Sequence, residues 1–142
     1  MVLFLNSNSV RSLQILISKN IDTLLPVVIL SAPPKTVSKI LSCVADEHLR
    51  KLDLVPALAR FSDLLLEEMP VKINYVLSSL KKLVRYSNDK NIEGFKQVIK
   101  IILNKLKEVP DFNTKHKYLG VLVESEKYNL IKSNLLFRKE ML

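Results

Sequence analysis

The residues of this chain whose types and spacing suit a chemical task are basic residues on two consecutive predicted helices. At 3.6 residues per turn, the helix predicted over residues 71–87 places five polar residues on one face: Asn74, Ser78, Lys81, Lys82 and Arg85. The next helix, predicted over residues 90–108, places three lysines opposite its apolar stripe: Lys96, Lys100 and Lys107. If the two helices pack as an antiparallel hairpin, both faces border one cationic surface. Such a surface suits contacts to phosphate groups.

Charge is distributed unevenly along the chain, whose formal net charge is +8. Residues 44–70 contain three basic and six acidic residues, whereas residues 71–107 contain nine basic and two acidic ones. A positive excess favours acidic partners, most commonly nucleic acids, and Tyr75 and Tyr86 are candidates for stacking on bases. Lysine-rich helix faces are also typical of plain solvated surface. The sequence therefore leaves both interpretations of the basic residues open.

The other titratable residues do not form a recognisable catalytic or metal-binding set. His48 follows Val44 on the apolar side of a predicted helix, which predicts a half-buried histidine, and His116 is expected at the surface. Cys43 is expected to be buried or half-buried. Because zinc needs about four N or S ligands, this cysteine and two distant histidines are too few. The sequence therefore predicts no enzymatic activity, no cofactor, no metal and no small-molecule substrate.

Apolar residues recur with helical periodicity along most of the chain, and prolines and capping residues separate the predicted helices. Six helices are predicted before residue 111, over residues 9–19, 23–31, 36–51, 54–66, 71–87 and 90–108. Asp22 and Asp53 are expected to cap the second and fourth helices. Pro26 must lie in the first turn of the second helix or bend it. The tail predicts one or two further helices, although Val121–Val123 would also suit a strand.

Composition and length together predict one all-α domain. The chain has 142 residues and only two glycines, so it offers few positions for the positive φ that tight hairpins need. We expect six to eight antiparallel helices, stacked as pairs or packed as an irregular bundle. A single cysteine, no signal-peptide core and no apolar run of membrane-spanning length predict an intracellular protein, cytoplasmic or nuclear, that is neither secreted nor membrane-bound.

Two segments of the chain are similar to each other. TLLPVVILSAPPKTVSKILSCV (23–44) and DLVPALARFSDLLLEEMPVKINYVLSSL (53–80) each contain a helix with an early proline, a break, and an amphipathic helix led by valine. Residues 22–84 therefore resemble the helix pairs of HEAT and armadillo arrays, which implies stacked pairs. SLQILISKNIDTLLPVV and DLVPALARF are also similar to the helical C-terminal domain of WD-repeat proteins of the small-subunit processome. That second resemblance implies a ribonucleoprotein context.

These features predict a non-enzymatic interaction or scaffold module within a larger protein or ribonucleoprotein assembly. The alternative is a direct RNA-binding protein that contacts the shape and phosphates of a duplex through its lysine-rich face. The tail carries a candidate patch for a protein partner or for self-association: Leu130, Ile131, Leu135, Leu136 and Phe137. Packing of this tail onto the core is the open alternative.

Overall fold

Helices account for most of the structure. The computed structural model describes residues 20–67, 70–109 and 111–128, and no strand lies among them. Seven α-helices are described: α1 Ile21–Ser31, α2 Pro34–Cys43, α3 Asp46–Lys51, α4 Val55–Leu66, α5 Pro70–Leu83, α6 Ile92–Glu108 and α7 Phe112–Lys127. A 3-10 turn, Val84–Tyr86, continues α5. The prediction of an all-α fold with six to eight helices is confirmed.

The helices pack in two rows. In the first row α4 contacts α1 and α6, and in the second row α5 contacts α2 and α7. Contacts of α4 with α5 and of α6 with α7 join the rows, and the short α3 packs against α1. Within the first row, the Arg60 guanidinium donates a hydrogen bond of 2.7 Å to the carbonyl oxygen of Ile29. This bond ties the middle of α4 to the end of α1.

The apolar stripes of the helices form one continuous hydrophobic core. The predicted stripe of α5 and its 3-10 turn is buried as expected: Ile73, Val76, Leu77, Leu80, Leu83 and Val84. In α6 the buried residues include Phe95, Val98, Ile99, Ile102 and Leu106. Ile101, which the sequence pattern leaves outside that stripe, is buried as well. Because α6 packs against both α4 and α7, its apolar face is wider than one contact requires.

The single helix predicted over residues 36–51 is wrong. α2 ends at Cys43 and α3 begins at Asp46, because Val44 and Ala45 adopt extended backbone. The break lets α2 pack against α5 while α3 packs against α1. Cys43 is exposed rather than buried, since it lies at the end of α2 and away from the buried stripe of that helix.

The start of α1 also differs from the prediction. The helix begins at Ile21, so Asp22 lies within its first turn and does not cap it. The Asp22 carboxylate lies instead 3.8 Å from Nδ1 of the half-buried His48 in α3. Pro26 is the sixth residue of α1, so the first-turn placement is wrong, and the helix lacks one backbone N–H donor there. The helix predicted over residues 9–19 lies outside the described residues.

Aspartates mark the starts of two other helices. The N-cap of α4 is Leu54, so the predicted cap at Asp53 is wrong by one residue, and Asp53 instead accepts a hydrogen bond of 3.1 Å from the Val55 N–H. Asp111 caps α7, where its Oδ2 accepts hydrogen bonds from the Thr114 N–H at 3.0 Å and from the Thr114 hydroxyl at 2.8 Å. These bonds lower the pKa of Asp111. Val121–Val123 lie inside α7, so the strand alternative for them is wrong.

A hydrogen bond between Tyr86 and Asp46 joins the 3-10 turn to α3. The hydroxyl of the buried Tyr86 donates to Oδ1 of the exposed Asp46. Burial raises the pKa of Tyr86 to about 12, and the hydrogen bond and charge of Asp46 contribute to the shift. The same hydrogen bond is the main cause of the lowered pKa of Asp46, and nearby positive charges from Lys82, Arg85 and Arg50 add to it.

The two helical glycines predict opposite effects of alanine substitution. A Cβ at Gly94 in α6 would lie 2.9 Å from Cδ1 and 3.2 Å from Cβ of Leu58 in α4. Overpacking costs about 1–3 kcal/mol, which exceeds the gain of about 1 kcal/mol from alanine's helix propensity. At Gly120 the nearest atom is Nζ of Lys81 at 4.0 Å, so the propensity gain is retained. Urea unfolding is expected to show Gly94→Ala less stable than the wild type and Gly120→Ala more stable.

The Asp46–Tyr86 hydrogen bond is expected to make stability depend on pH at both extremes. Because folding lowers the pKa of Asp46, its contribution is complete above the unfolded pKa and is lost as the pH falls through the folded value. Because folding raises the pKa of Tyr86, its contribution is complete below the unfolded pKa of about 10. That contribution is lost as the pH rises towards the folded value of about 12.

Titration of tyrosinate absorbance in the wild type and in Asp46→Asn measures this coupling. The substitution is expected to lower the pKa of Tyr86 from about 12, though burial keeps it above the ordinary value. Tyr86→Phe identifies which part of the absorbance belongs to this residue. An unchanged late titration in Asp46→Asn would contradict the coupling.

Candidate interaction groove

The outward face of α5 is the floor of an open groove, because α5 lies between α2 and α7 in the second row. Two stretches of this groove share Ser78 and Lys81 and are therefore continuous. One stretch is also lined by Asn74, Tyr75, Leu77, His116, Lys117 and Gly120. The other is also lined by Ser38, Leu41, Ser42, Lys82, Arg85 and Glu124. We call this surface the α5 groove.

Helical spacing brings these residues together. On α5, Asn74, Ser78 and Lys82 recur every four residues and so lie along one face. On α7, Lys117, Gly120 and Glu124 follow spacings of three and four, and on α2 Ser38 and Ser42 are four apart. Each helix therefore presents one polar row to the groove.

The predicted polar face of α5 coincides with the groove floor. All five of its residues line the groove, and Lys81, Lys82 and Arg85 lie together in the stretch next to α2. This part of the candidate basic surface was placed correctly on one face of one helix. Whether it binds nucleic acid stays a prediction.

The lysines of α6 lie elsewhere. Lys96, Lys100 and Lys107 are exposed, but no residue of α6 lines the groove. The condition for one shared surface, an antiparallel hairpin of α5 with α6, is not met, because α6 packs against α4 and α7 and belongs to the other row. The two sets of basic residues therefore lack the shared hairpin surface on which the sequence argument relied.

The two tyrosines considered for base stacking have different environments. Tyr86 is 7% exposed and its hydroxyl is bonded to Asp46, so its ring has no free face for a base. Tyr75 is half-buried and lines the groove. His116 is exposed as predicted, and its ring stacks on that of Phe112 with centroids 6.3 Å apart.

The α5 groove has a positive electrostatic character. Four cationic side chains line it, from Lys81, Lys82, Arg85 and Lys117, against the single carboxylate of Glu124. Neither Lys81 nor Lys117 makes an ion pair with any side chain in the described part of the molecule. Lys82 and Arg85 also lower the pKa of Asp46, and Lys117 contributes to the lowered pKa of Asp111.

Gly120 shapes the middle of the groove. It faces Lys81, whose Nζ would lie 4.0 Å from a Cβ at that position. Because Gly120 has no side chain, α7 leaves open space beside Lys81 and Lys117. A long side chain at position 120 would occupy that space, whereas an alanine would not.

Sequence reasoning missed the walls of this groove. The sequence-based predictions place His116 at the surface and give Lys117, Ser38, Ser42 and Gly120 no role. A signal did exist, since the spacing of Lys117, Gly120 and Glu124 matches one helix face. What could not be read from the chain was that this face lies beside α5 rather than beside α6.

Other kinds of site were also considered. Among the described residues, no three His, Cys, Asp or Glu side chains converge where they could hold a metal ion. No helix in those same ranges is long and apolar enough to cross a membrane. The candidate patch of the tail, Leu130 to Phe137, lies outside the described residues.

Comparisons with known proteins gave no relative. No protein-family model matches the chain, and no curated protein or solved structure shows a significant match. The functional argument therefore rests on the packing and charge of the chain itself.

Proposed function

We propose that this chain is a non-enzymatic helical scaffold module, and that the α5 groove binds a segment of a partner protein within a larger assembly. The observation that carries the proposal is the groove itself. Its floor is one helix, its walls are two others, and cationic side chains from α5, from the 3-10 turn after it and from α7 line it. A concave surface on rigid helices positions a partner without requiring any chemical step.

The arrangement of helices supports the proposed repeat organisation. The two similar segments of the sequence correspond to α1 with α2 and to α4 with α5. Matching helices pack side by side, since α1 contacts α4 and α2 contacts α5. α4 and α5 also contact each other, whereas α1 and α2 make at most weak contact, so the likeness to stacked helix pairs is carried by the contacts between the two segments.

The groups whose pKa values are clearly shifted, Arg60 among them, lie outside the α5 groove. Strongly perturbed groups cluster at active sites in many enzymes. In the described part of this chain, the lowered pKa values of Asp46 and Asp111 arise from contacts that fix helix starts and turns. Burial raises the pKa of Tyr118, a core residue, and that of Tyr86. None of these four residues lines the groove.

A second candidate function is RNA binding through α6. The exposed lysines Lys96, Lys100 and Lys107 lie on one face of α6 outside the groove, and Lys96 makes an exposed ion pair of 3.5 Å with Glu93. Exposed pairs of this type are weak, so the positive charge remains available to phosphates. This candidate keeps the ribonucleoprotein context but uses another surface.

Site-specific crosslinking tests the leading proposal. A photoreactive residue at Ser78 in the groove, or at Lys100 on α6 as the matched control, is used in cell extract with and without ribonuclease. A protein crosslinked at position 78, absent at position 100 and retained after ribonuclease is the expected result. Loss of every crosslinked partner on ribonuclease treatment would contradict the proposal.

The double variant Lys96→Glu/Lys100→Glu tests the second candidate. Both side chains are exposed, so circular dichroism is expected to show an unchanged fold. If α6 binds RNA, mobility shifts will show weaker binding to unrelated sequences, with a salt slope reduced by about 0.9 per lost contact, the B-form value. Unchanged affinity of a folded variant would show that this face is solvated surface only.

A further inference from the structure

The cations of the α5 groove have a spacing that fits one class of ligand. Lys81 lies in the last turn of α5 and Arg85 in the 3-10 turn that continues it, so the four-residue step separates them by about 6–8 Å along the axis. In an extended polypeptide, side chains two residues apart lie on the same face and are separated by about 6.6 Å. Carboxylates at alternate positions of an extended peptide therefore match this cationic spacing.

We propose that the α5 groove receives an extended acidic peptide with carboxylates at alternate positions. One carboxylate is bound by Arg85 and Lys82, and the next by Lys81 and Lys117, which approaches from α7. The inference rests on the proposed function and specifies the chemistry of the partner. It adds a register: the peptide runs along α5, between the walls formed by α2 and α7.

The dimensions of the groove favour a single extended chain. Packed helices have axes about 8–10 Å apart, so the space between α2 and α7 above α5 is about one helix wide. From Asn74 to Arg85 the floor is about 16 Å long, which accommodates about five extended residues. A nucleic-acid duplex is too wide to enter the α5 groove, because the major groove of the duplex is by itself about 12 Å wide.

The polar groups of the groove favour a peptide over a single nucleic-acid strand. Glu124 lies in the same stretch as Lys82 and Arg85 and repels a continuous row of phosphates. A peptide with alternate acidic residues can place a neutral residue beside it. Ser38 and Asn74 supply hydroxyl and amide groups that can hydrogen-bond the backbone of an extended peptide, and Ser42, whose hydroxyl donates to the Lys39 carbonyl, can accept a bond there.

Fluorescence anisotropy with synthetic peptides on the full chain tests the proposal. The probe is a decapeptide of alternating glutamate and serine, and its control has the same composition with the glutamates in one block. A lysine–serine peptide and a single-stranded RNA of equal charge complete the set. We expect the alternating acidic peptide to bind most tightly, and its affinity to fall with added salt.

Charge-matched variants locate the binding site. Lys81→Glu/Lys117→Glu reverses two charges in the groove, and Lys96→Glu/Lys100→Glu reverses two on α6. We expect the groove variant to weaken binding of the alternating peptide by about tenfold or more, and the α6 variant by less than about twofold. All four positions are at least partly exposed, and circular dichroism controls for folding.

A steric variant separates groove occupancy from overall charge. Gly120→Leu fills the space beside Lys81 without changing charge, and Gly120→Ala is its control. We expect the leucine variant alone to weaken peptide binding. Glu124→Gln is expected to strengthen binding of the RNA more than that of the alternating peptide, because continuous phosphate charge meets Glu124 and alternate carboxylates avoid it.

Several results would overturn the proposal. Two results would show diffuse charge attraction without a fixed position of the peptide. One is an equal loss of affinity in the two charge variants, and the other is equal binding of the block peptide and the alternating peptide. Tighter groove-dependent binding of the RNA would assign the groove to nucleic acid. No peptide binding at low salt, with a protein still crosslinked at Ser78, would refute the acidic-peptide inference and leave the proposed function intact. Absence of both the peptide binding and the crosslinked protein would refute the acidic-peptide inference and the proposed function.

Discussion

Burial of α5 on three sides is the constraint on which the rest of the structure depends. This helix contacts α2, α4 and α7, and its stripe is almost completely removed from solvent. A buried apolar side chain contributes roughly 1.5–3 kcal/mol when it leaves water. Six such residues on α5 and its 3-10 turn therefore hold both rows of helices together, and their positions fix which face of α5 remains exposed.

The exposed face of α5 follows from this arrangement. Residues of α2 and α7 line open depressions along the polar face of α5, so this face borders a concave surface. This shape matters electrostatically, since cations in a concave surface with low-dielectric walls create a stronger local potential than the same cations on an open helix. Lys81 and Lys117 are thereby placed differently from Lys96 and Lys100, although all four are lysines on helices.

The contacts that keep the α5 groove in place are mostly outside it. The Tyr86–Asp46 hydrogen bond fixes the turn after α5 against α3, and the Asp111 cap fixes the start of α7. Between the 3-10 turn and α6, the side-chain amide of the buried Asn91 donates a hydrogen bond of 3.2 Å to the carbonyl oxygen of Tyr86. The Asn91 bond ties the N-cap of α6 to the 3-10 turn after α5.

The sequence by itself determined the fold class, the stripes of α4, α5 and α6, and the polar face of α5. Such features are local, because the position of a residue on a helix depends only on its spacing along the chain. The break at Val44 and Ala45 was not readable, since apolar periodicity continues through it and the extended backbone there is set by packing of α2 and α3 against different helices.

Only the tertiary structure decided which helix faces share a surface. The sequence places α5 and α6 next to each other, and a hairpin is the simplest expectation for consecutive helices. Tertiary packing instead places α6 in the other row and α7 beside α5, because α6 has a wide apolar face that is covered by both α4 and α7. Lys81 therefore lies beside Gly120 and Lys117, which are distant from it in the chain, rather than beside the lysines of the next helix.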